Sequence, residues 1–212
     1  MLSELPRQIG QRRGCCALIA IKQRLRCKSR LDQQLSVSAR VELVREMLGR
    51  VLAAASCAQT IGQVIVVSPE RDLVPAEVPV LADTGEGLNA ALVQARGALL
   101  KLGCREILVL PADLPCVTGP EIDALVRASR RGGFAIAPDA ADRGTNALCL
   151  ASSQPFQFQF GLDSRRLHLE EATRIGLSAE VVRLSGLEFD VDSPDDLRRL
   201  RSEELWRMPL QA

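Results

Sequence analysis

Aromatic side chains are scarce in this 212-residue sequence, which has five phenylalanines, one tryptophan and no tyrosine. Bases of single-stranded nucleic acid are gripped largely by stacking on aromatic faces. The scarcity argues against a nucleic-acid partner and for a small ligand. Histidine is nearly absent as well, with His168 alone. Cys/His zinc sites and the Ser-His or Cys-His pairs of nucleophilic catalysis thereby lose their support. His168 itself reads as a surface residue of a helix, among Arg165, Arg166 and Glu170. No GxxxxGK(S/T) loop occurs, which removes most kinase and ATPase chemistry. Apolar runs stay well short of the ~20 residues that cross a bilayer. Met1 to Gly14 lacks an apolar leader core, so the expectation is a cytoplasmic protein with no membrane partner. There is no CxxC pair, and the seven cysteines (15, 16, 27, 57, 104, 116 and 149) are odd in number and scattered. Buried, reduced thiols are the reading that follows.

Nor is there a linker, an internal repeat or a low-complexity tract. With 47% hydrophobic residues, one α/β domain with a sizeable core is expected over residues 15–205, between a polar extension (1–14) and a short tail (206–212). Net charge is only +1, yet residues 1–30 hold eight lysines and arginines against Glu4 alone. Such asymmetry suits an anion site on the first strand and the loop after it.

The periodicity alternates between strand and helix. Cys15–Ile21 is a continuous apolar run, as expected of a strand covered on both faces. A helix capped by Ser38 runs to Ser56, with Val41, Val44, Leu48, Val51 and Leu52 at helical spacing. Strands are expected at Gln63–Val67, Val78–Ala82, Glu106–Leu110, Phe134–Ala137, Thr145–Ala151 and Glu180–Leu184. Helices are expected at Leu88–Leu102, Pro120–Arg130 and Ser164–Ile175. A last helix opens at Ser193-Pro194, with Asp195 and Asp196 near its positive dipole end. The order predicts a mostly parallel, Rossmann-like sheet with helices on both faces and ligands at the carboxyl ends of its strands.

Three features sit at such ends. The basic loop Lys22–Arg30 follows the first strand and suits phosphate oxygens. Gly85-Glu-Gly-Leu-Asn-Ala90 fits GxGxx(G/A) between a strand and a helix, which leaves a nicotinamide-dependent oxidoreductase as a minority reading. Third, Leu108-Val-Leu-Pro-Ala-Asp113-Leu-Pro115 ends a buried strand in one carboxylate held between prolines. Asp190 and Asp192 alternate in Phe189-Asp-Val-Asp-Ser-Pro194 and so share one side of an extended segment. If these acids meet Asp113, a divalent cation would relieve their repulsion, and Mg²⁺ suits one or two carboxylates completed by phosphate oxygens and water.

Leu18–Leu31, Gly87-Leu-Asn89, Leu110-Pro-Ala-Asp-Leu-Pro115, Arg143-Gly-Thr-Asn-Ala147, Phe160-Gly161 with Ser164, and Asp190-Val-Asp-Ser-Pro-Asp-Asp-Leu197 occur in one order. Together they resemble the guanylyltransferases that activate 2-phospholactate or phosphoenolpyruvate in biosynthesis of the deazaflavin coenzyme F-420. The resemblance spans about residues 15–200. It implies a single-domain nucleotidyltransferase (nucleotide-diphospho-sugar transferase-like) fold, GTP as co-substrate, Mg²⁺ as cofactor and a small phospho-acid as acceptor, with 3-phosphoglycerate a third candidate. No nucleic acid is implied, and a homodimer is left open. Carried over, Lys22, Lys28 and Asp113 would be catalytic, with the lysines on phosphates. Arg30, Gly85, Gly87, Leu88 and Asn89 would bind the nucleotide. Arg143, Thr145, Asn146, Gly161 and Ser164 would line the acceptor pocket, and Asp113, Asp190 and Asp192 would hold the metal. The nearest alternative is a molybdopterin- or sugar-phosphate-type nucleotidyltransferase. The chain departs from the family pattern at Ala20 or Ile21, where proline is common, and at Asp163, where glycine is usual before the serine.

Overall fold

The computed structural model describes residues 14–21, 31–83 and 87–202. Its centre is β1, Cys15–Ala20, buried at every position because both faces are covered. Parallel ladders join β1 to β2 (Ile61–Ser68) on one side and to β4 (Glu106–Pro111) on the other. The remaining strands are β3 (Val80–Ala82), β5 (Gly133–Pro138), β6 (Thr145–Ala151) and β7 (Ser178–Val181). They complete a seven-stranded sheet in the order β3-β2-β1-β4-β6-β5-β7. Only β6 runs against its neighbours, antiparallel to both β4 and β5. The mostly parallel α/β sheet expected from the sequence is what forms.

Helices cover both faces. On one side, α1 (Val37–Cys57), α3 (Gly119–Gly132) and α6 (Pro194–Ser202) pack against alternate strand residues such as Ala17, Ile19, Leu108 and Leu110. On the other, α2 (Leu88–Lys101) and α4 (Ser164–Arg174) cover Leu18, Val109 and Leu148. The N-cap of α1 lies two residues earlier than predicted. Ser36, not Ser38, accepts the backbone N–H of Ala39 at 3.2 Å, and the two hydroxyls bond each other. Helix α3 is entered through a capping box between Thr118 and Glu121. Its buried Asp123 accepts from the N–H groups of Gln59 and Thr60 and from the Thr60 hydroxyl at 2.7–3.2 Å, locking α3 to the turn before β2. Among the described residues, no helix is long and apolar enough to cross a membrane.

Two expectations need correction. Edge strand β7 lies at Ser178–Val181, and Leu184 instead caps a single helical turn, α5 (Ser185–Glu188). The segment pairs only with β5 and is largely exposed, so its polar sequence carries little register signal. The cysteines are not all free thiols. Cys16 and Cys104 form a disulfide with Cα atoms 6.4 Å apart. Spacing could not reveal it, because the pair is 88 residues apart and is brought together by the side-by-side placement of β1 and β4. Cys15, Cys116 and Cys149 are buried free thiols and Cys57 is an exposed one, while Cys27 lies outside the described residues.

Candidate active site

The chain passes from β1 to β2 and β3 on one side, then returns to lay β4 on the other side of β1. That reversal makes the carboxyl ends of β1 and β4 the topological switch point, the usual ligand position in such sheets. The same order weakens the dinucleotide reading of GEGLNA. Its glycine motif follows edge strand β3, and the connection to β4 passes over two strands instead of joining neighbours, as a dinucleotide-binding unit does.

Asp113 stands at the end of β4, just past Ala112, whose N–H still bonds the Ala20 carbonyl at 3.1 Å. The segment after α5 returns to the same place, where the N–H of Val191 donates to the Asp113 carbonyl at 3.2 Å. Val191 is fully buried, so Asp190 and Asp192 on either side of it face the other way, both half-buried. The electrostatics confirm the approach. Burial, then the negative charge of Asp113, pushes the Asp190 carboxyl up to about 6, with a smaller push from Asp192 and an opposing hydrogen bond from Asn146. Asp196 is accounted for separately. It accepts from the N–H groups of Asp192 and Ser193 and from the Ser193 hydroxyl, closing the start of α6.

Asn146 owes its position to a bulge. Ala137 pairs with Ala147, but Pro138 pairs with Thr145, so Asn146 is an extra residue in β6. Strict alternation would group Asn146 with Leu148 and Leu150. The bulge turns it to the opposite face, where its amide donates to the carbonyls of Leu187 and Glu188 and to Asp190 at 3.0–3.2 Å. Thr145 turns the other way and meets Nδ1 of His168 at 2.9 Å.

His168 is therefore no surface residue, since its exposure is 0%. The helical face assigned from its charged neighbours was the wrong one. His168 shares a buried cluster with Phe156 and Phe160, and Phe134 and Phe158 pack against Phe156. Four of the five phenylalanines thus gather around the only histidine. The sequence signal was Phe156-Gln-Phe-Gln-Phe160, an alternation with period two. This segment joins no strand, and side chains satisfy its backbone instead. Gln157 N–H donates to buried Glu171 at 2.8 Å, Gln159 N–H to His168 Nε2 at 2.9 Å, and Phe160 N–H to Asn89 Oδ1 at 2.8 Å. Desolvation lowers the His168 pKa to about 4, against a small opposing effect of Glu171, so the ring is neutral near pH 7.

Asn89 also donates to the Phe160 carbonyl at 3.1 Å. Expected as a nucleotide contact, its amide ties the start of α2 to the Phe160-Gly161 segment. Gly87 and Gly161 have φ of +96° and +137°, and a Cβ at either would meet nothing within 4 Å. Here backbone conformation demands glycine, and the space beside both is open to a ligand. Leu88 packs against the apolar layer that contains Leu92. Ser164 is buried at the first position of α4. Arg143 is 65% exposed and its guanidinium bonds Asp163 Oδ1 at 3.2–3.3 Å. Asp163, the N-cap residue of α4, takes φ +53°, a conformation better suited to glycine. Lys22, Lys28, Arg30 and Gly85 lie outside the described residues.

Among the described residues, no group of three His, Cys, Asp or Glu side chains is arranged to hold a metal ion. Burial first, then the charge of Asp113 and a smaller push from Asp192, raise the Asp190 carboxyl, so these acids lie near one another. Their hard oxygens fit a Mg²⁺ ion that takes its other ligands from phosphates and water.

Known proteins match this architecture. The profile described as "Guanylyl transferase CofC like" matches residues 15–201. A phosphoenolpyruvate guanylyltransferase of Sphaerobacter thermophilus is 37% identical over 188 residues, 87% of this chain and 91% of that protein. One of Rubrobacter xylanophilus is 37% identical over 191 residues, covering 88% and 93%. Among solved structures, a protein of Desulfovibrio desulfuricans assigned as a nucleotide-diphospho-sugar transferase superposes with a TM-score of 0.72 at 16% identity, covering 92% of this chain and 91% of its own. The 4-diphosphocytidyl-2C-methyl-D-erythritol synthase of Anaerococcus prevotii gives a TM-score of 0.60 at 11% identity, covering 90% and 96%. These distant structures bear on the fold, while the sequence relatives, matched along nearly their whole length, bear on the lineage. This chain belongs to the CofC-like guanylyl transferase family and is a nucleotidyltransferase.

Proposed function

We propose that the protein transfers GMP from GTP to phosphoenolpyruvate, releasing pyrophosphate, as a step towards coenzyme F-420. The relatives named for that acceptor support the substrate. The observation that carries the catalytic reading is the return of the Asp190–Asp192 segment to Asp113 at the carboxyl end of β4, where Val191 N–H bonds the Asp113 carbonyl at 3.2 Å. A phosphate oxygen of the acid forms a bond to the α-phosphorus while the bond to the β-bridging oxygen breaks. Pyrophosphate leaves with that electron pair. The attacking oxygen is already ionised near neutral pH, so no basic side chain is needed, consistent with a lone histidine that is buried and neutral.

The protein's task is then positioning and charge neutralisation. Two unit charges about 4 Å apart gain only ~4 kcal/mol at an effective dielectric of 20, so several groups must cooperate. When bound, Mg²⁺ would be held by Asp113 with Asp190 or Asp192 and would neutralise phosphate charge. Pro111 and Pro115 stiffen the mount of Asp113. Thr145 and Ser164 offer hydroxyls to the acceptor, and the open backbone at Gly87 and Gly161 allows close approach. Lys22 and Lys28 are assigned to phosphates, and Arg30 to the nucleotide, from the sequence alone.

Incubation with GTP, Mg²⁺ and phosphoenolpyruvate should release pyrophosphate, with 2-phospho-L-lactate and 3-phosphoglycerate as weaker acceptors. Silence with all three acids, or equal turnover with CTP, would count decisively against the proposal. Turnover with a sugar phosphate in their place would support the sugar-phosphate reading instead.

A further inference from the structure

We infer that His168 is a positioning residue of the acceptor pocket, donating Nδ1–H to Thr145 so that the Thr145 hydroxyl proton is left to bond an oxyanion of the phospho-acid. The inference rests on the reading above that Thr145 lines this pocket.

The direction of the bonds follows from one fixed donor. A backbone N–H can only donate, and that of Gln159 points at His168 Nε2 from 2.9 Å. Nε2 must therefore carry the lone pair. A neutral imidazole then has its proton on Nδ1, and Nδ1 lies 2.9 Å from Thr145 Oγ1. Thr145 accepts, and its own proton must go elsewhere. Among the described residues the hydroxyl has no second partner. Thr145 keeps 8% of its surface exposed, and its neighbour across the bulge, Asn146, already holds Asp190. The free proton thus lies on the α4 side of the sheet, where His168 and Gln159 tie Thr145 to the Phe160-Gly161 segment. Phe160 packs edge-on against the ring at 4.8 Å, fixing the imidazole plane. A hydroxyl that already accepts one bond is polarised into a stronger donor, ready for a carboxylate or phosphate oxygen. His168 would in this way favour an anionic acceptor without touching it.

Because the chain has one histidine, the ¹⁵N spectrum of histidine-labelled protein reports on this ring alone. A pyridine-type Nε2 and a protonated Nδ1 are expected, and the Nδ1–H signal should move on adding phosphoenolpyruvate but not GTP alone. A proton on Nε2, or no response to the acid, overturns the proposal. Two variants separate positioning from plain structural support. His168→Gln places an acceptor for Gln159 N–H but withdraws the donor from Thr145; His168→Asn retains the donor. About a tenfold rise in KM for phosphoenolpyruvate is expected in H168Q, with KM for GTP within about twofold, and H168N should recover most of the loss. Equal KM effects in both variants, or loss of stability with unchanged KM, assign His168 to structure only. Absence of turnover in the wild type would instead sink the guanylyl-transfer reading, and this inference with it.

Discussion

Replacing Asp190 by asparagine should stabilise the ligand-free protein while destroying its activity. Asp190 ordinarily titrates at 3.8 but is raised to about 6 in the fold, first by burial and next by Asp113. About two pKa units correspond to ~3 kcal/mol. The sign follows from linkage. A carboxyl whose folded pKa is raised binds its proton more tightly when folded, so stability falls as pH climbs from 3.8 to about 6, and the full cost persists above that. Asparagine carries no charge, and its carbonyl can still accept from the Asn146 amide, which now bonds Asp190 at 3.2 Å. At pH 7.5 in chelator, Asp190→Asn should gain at most ~3 kcal/mol, which for a chain of this size is roughly 6–12 °C in Tm. Near pH 3.5 both proteins carry an uncharged group there and the gap should close. The titration of His168 is common to both and cancels in the difference. Thermal unfolding across pH 3.5–8 measures the gap, and pyrophosphate release measures the loss of function. An asparagine variant less stable than wild type at pH 7.5, or a gap that ignores pH, refutes the account of how Asp190 is charged.

Three further outcomes are expected. The buried neutral His168, with its pKa lowered to about 4, favours folding fully above pH 6.5 and loses ~3 kcal/mol as pH falls from 6.5 towards 4; denaturant melts should show this loss in wild type but not in His168→Gln. Asp163→Gly removes a side chain from a φ of +53° and releases Arg143, so KM for the phospho-acid should fall two- to fivefold with KM for GTP unchanged; the exposed ion pair is worth at most ~1 kcal/mol, and a rise in KM would contradict this. Asp123→Ala strips the buried acceptor from Gln59 and Thr60 and should cost ~2–4 kcal/mol in urea melts while kcat per folded molecule holds, and a selective loss of kcat would move Asp123 out of its structural role.

Much of the architecture was legible because the buried strands are apolar runs and the helices carry apolar residues at helical spacing. Cys15–Ala20 and Glu106–Pro111 needed only composition and length to be read as strands. The approach of Asp190 to Asp113 was only a condition in the sequence, because Asp190 follows the helical turn α5 and not a strand whose end could be placed. His168 was misplaced because Arg165, Arg166 and Glu170 mark the polar face of α4, and one position between them rotates inward. Helical charge patterning does not say which single polar residue is needed inside to bond an irregular segment such as Phe156–Phe160. The disulfide and the β6 bulge depend on which strands become neighbours, a non-local fact that no window of sequence contains.

The extra residue in β6 has a consequence for how the pocket responds to load. Thr145 and Asn146 are adjacent in the chain but serve opposite faces, one anchored beneath α4 through His168 and the other at the turn before α6 through Leu187 and Asp190. A ligand that tugs on this dipeptide pulls on both helical layers at once, with no hinge needed between them. Deleting one residue there would restore regular pairing and strip both anchors together, so a frame slip of a single position should disable the pocket while leaving the sheet standing.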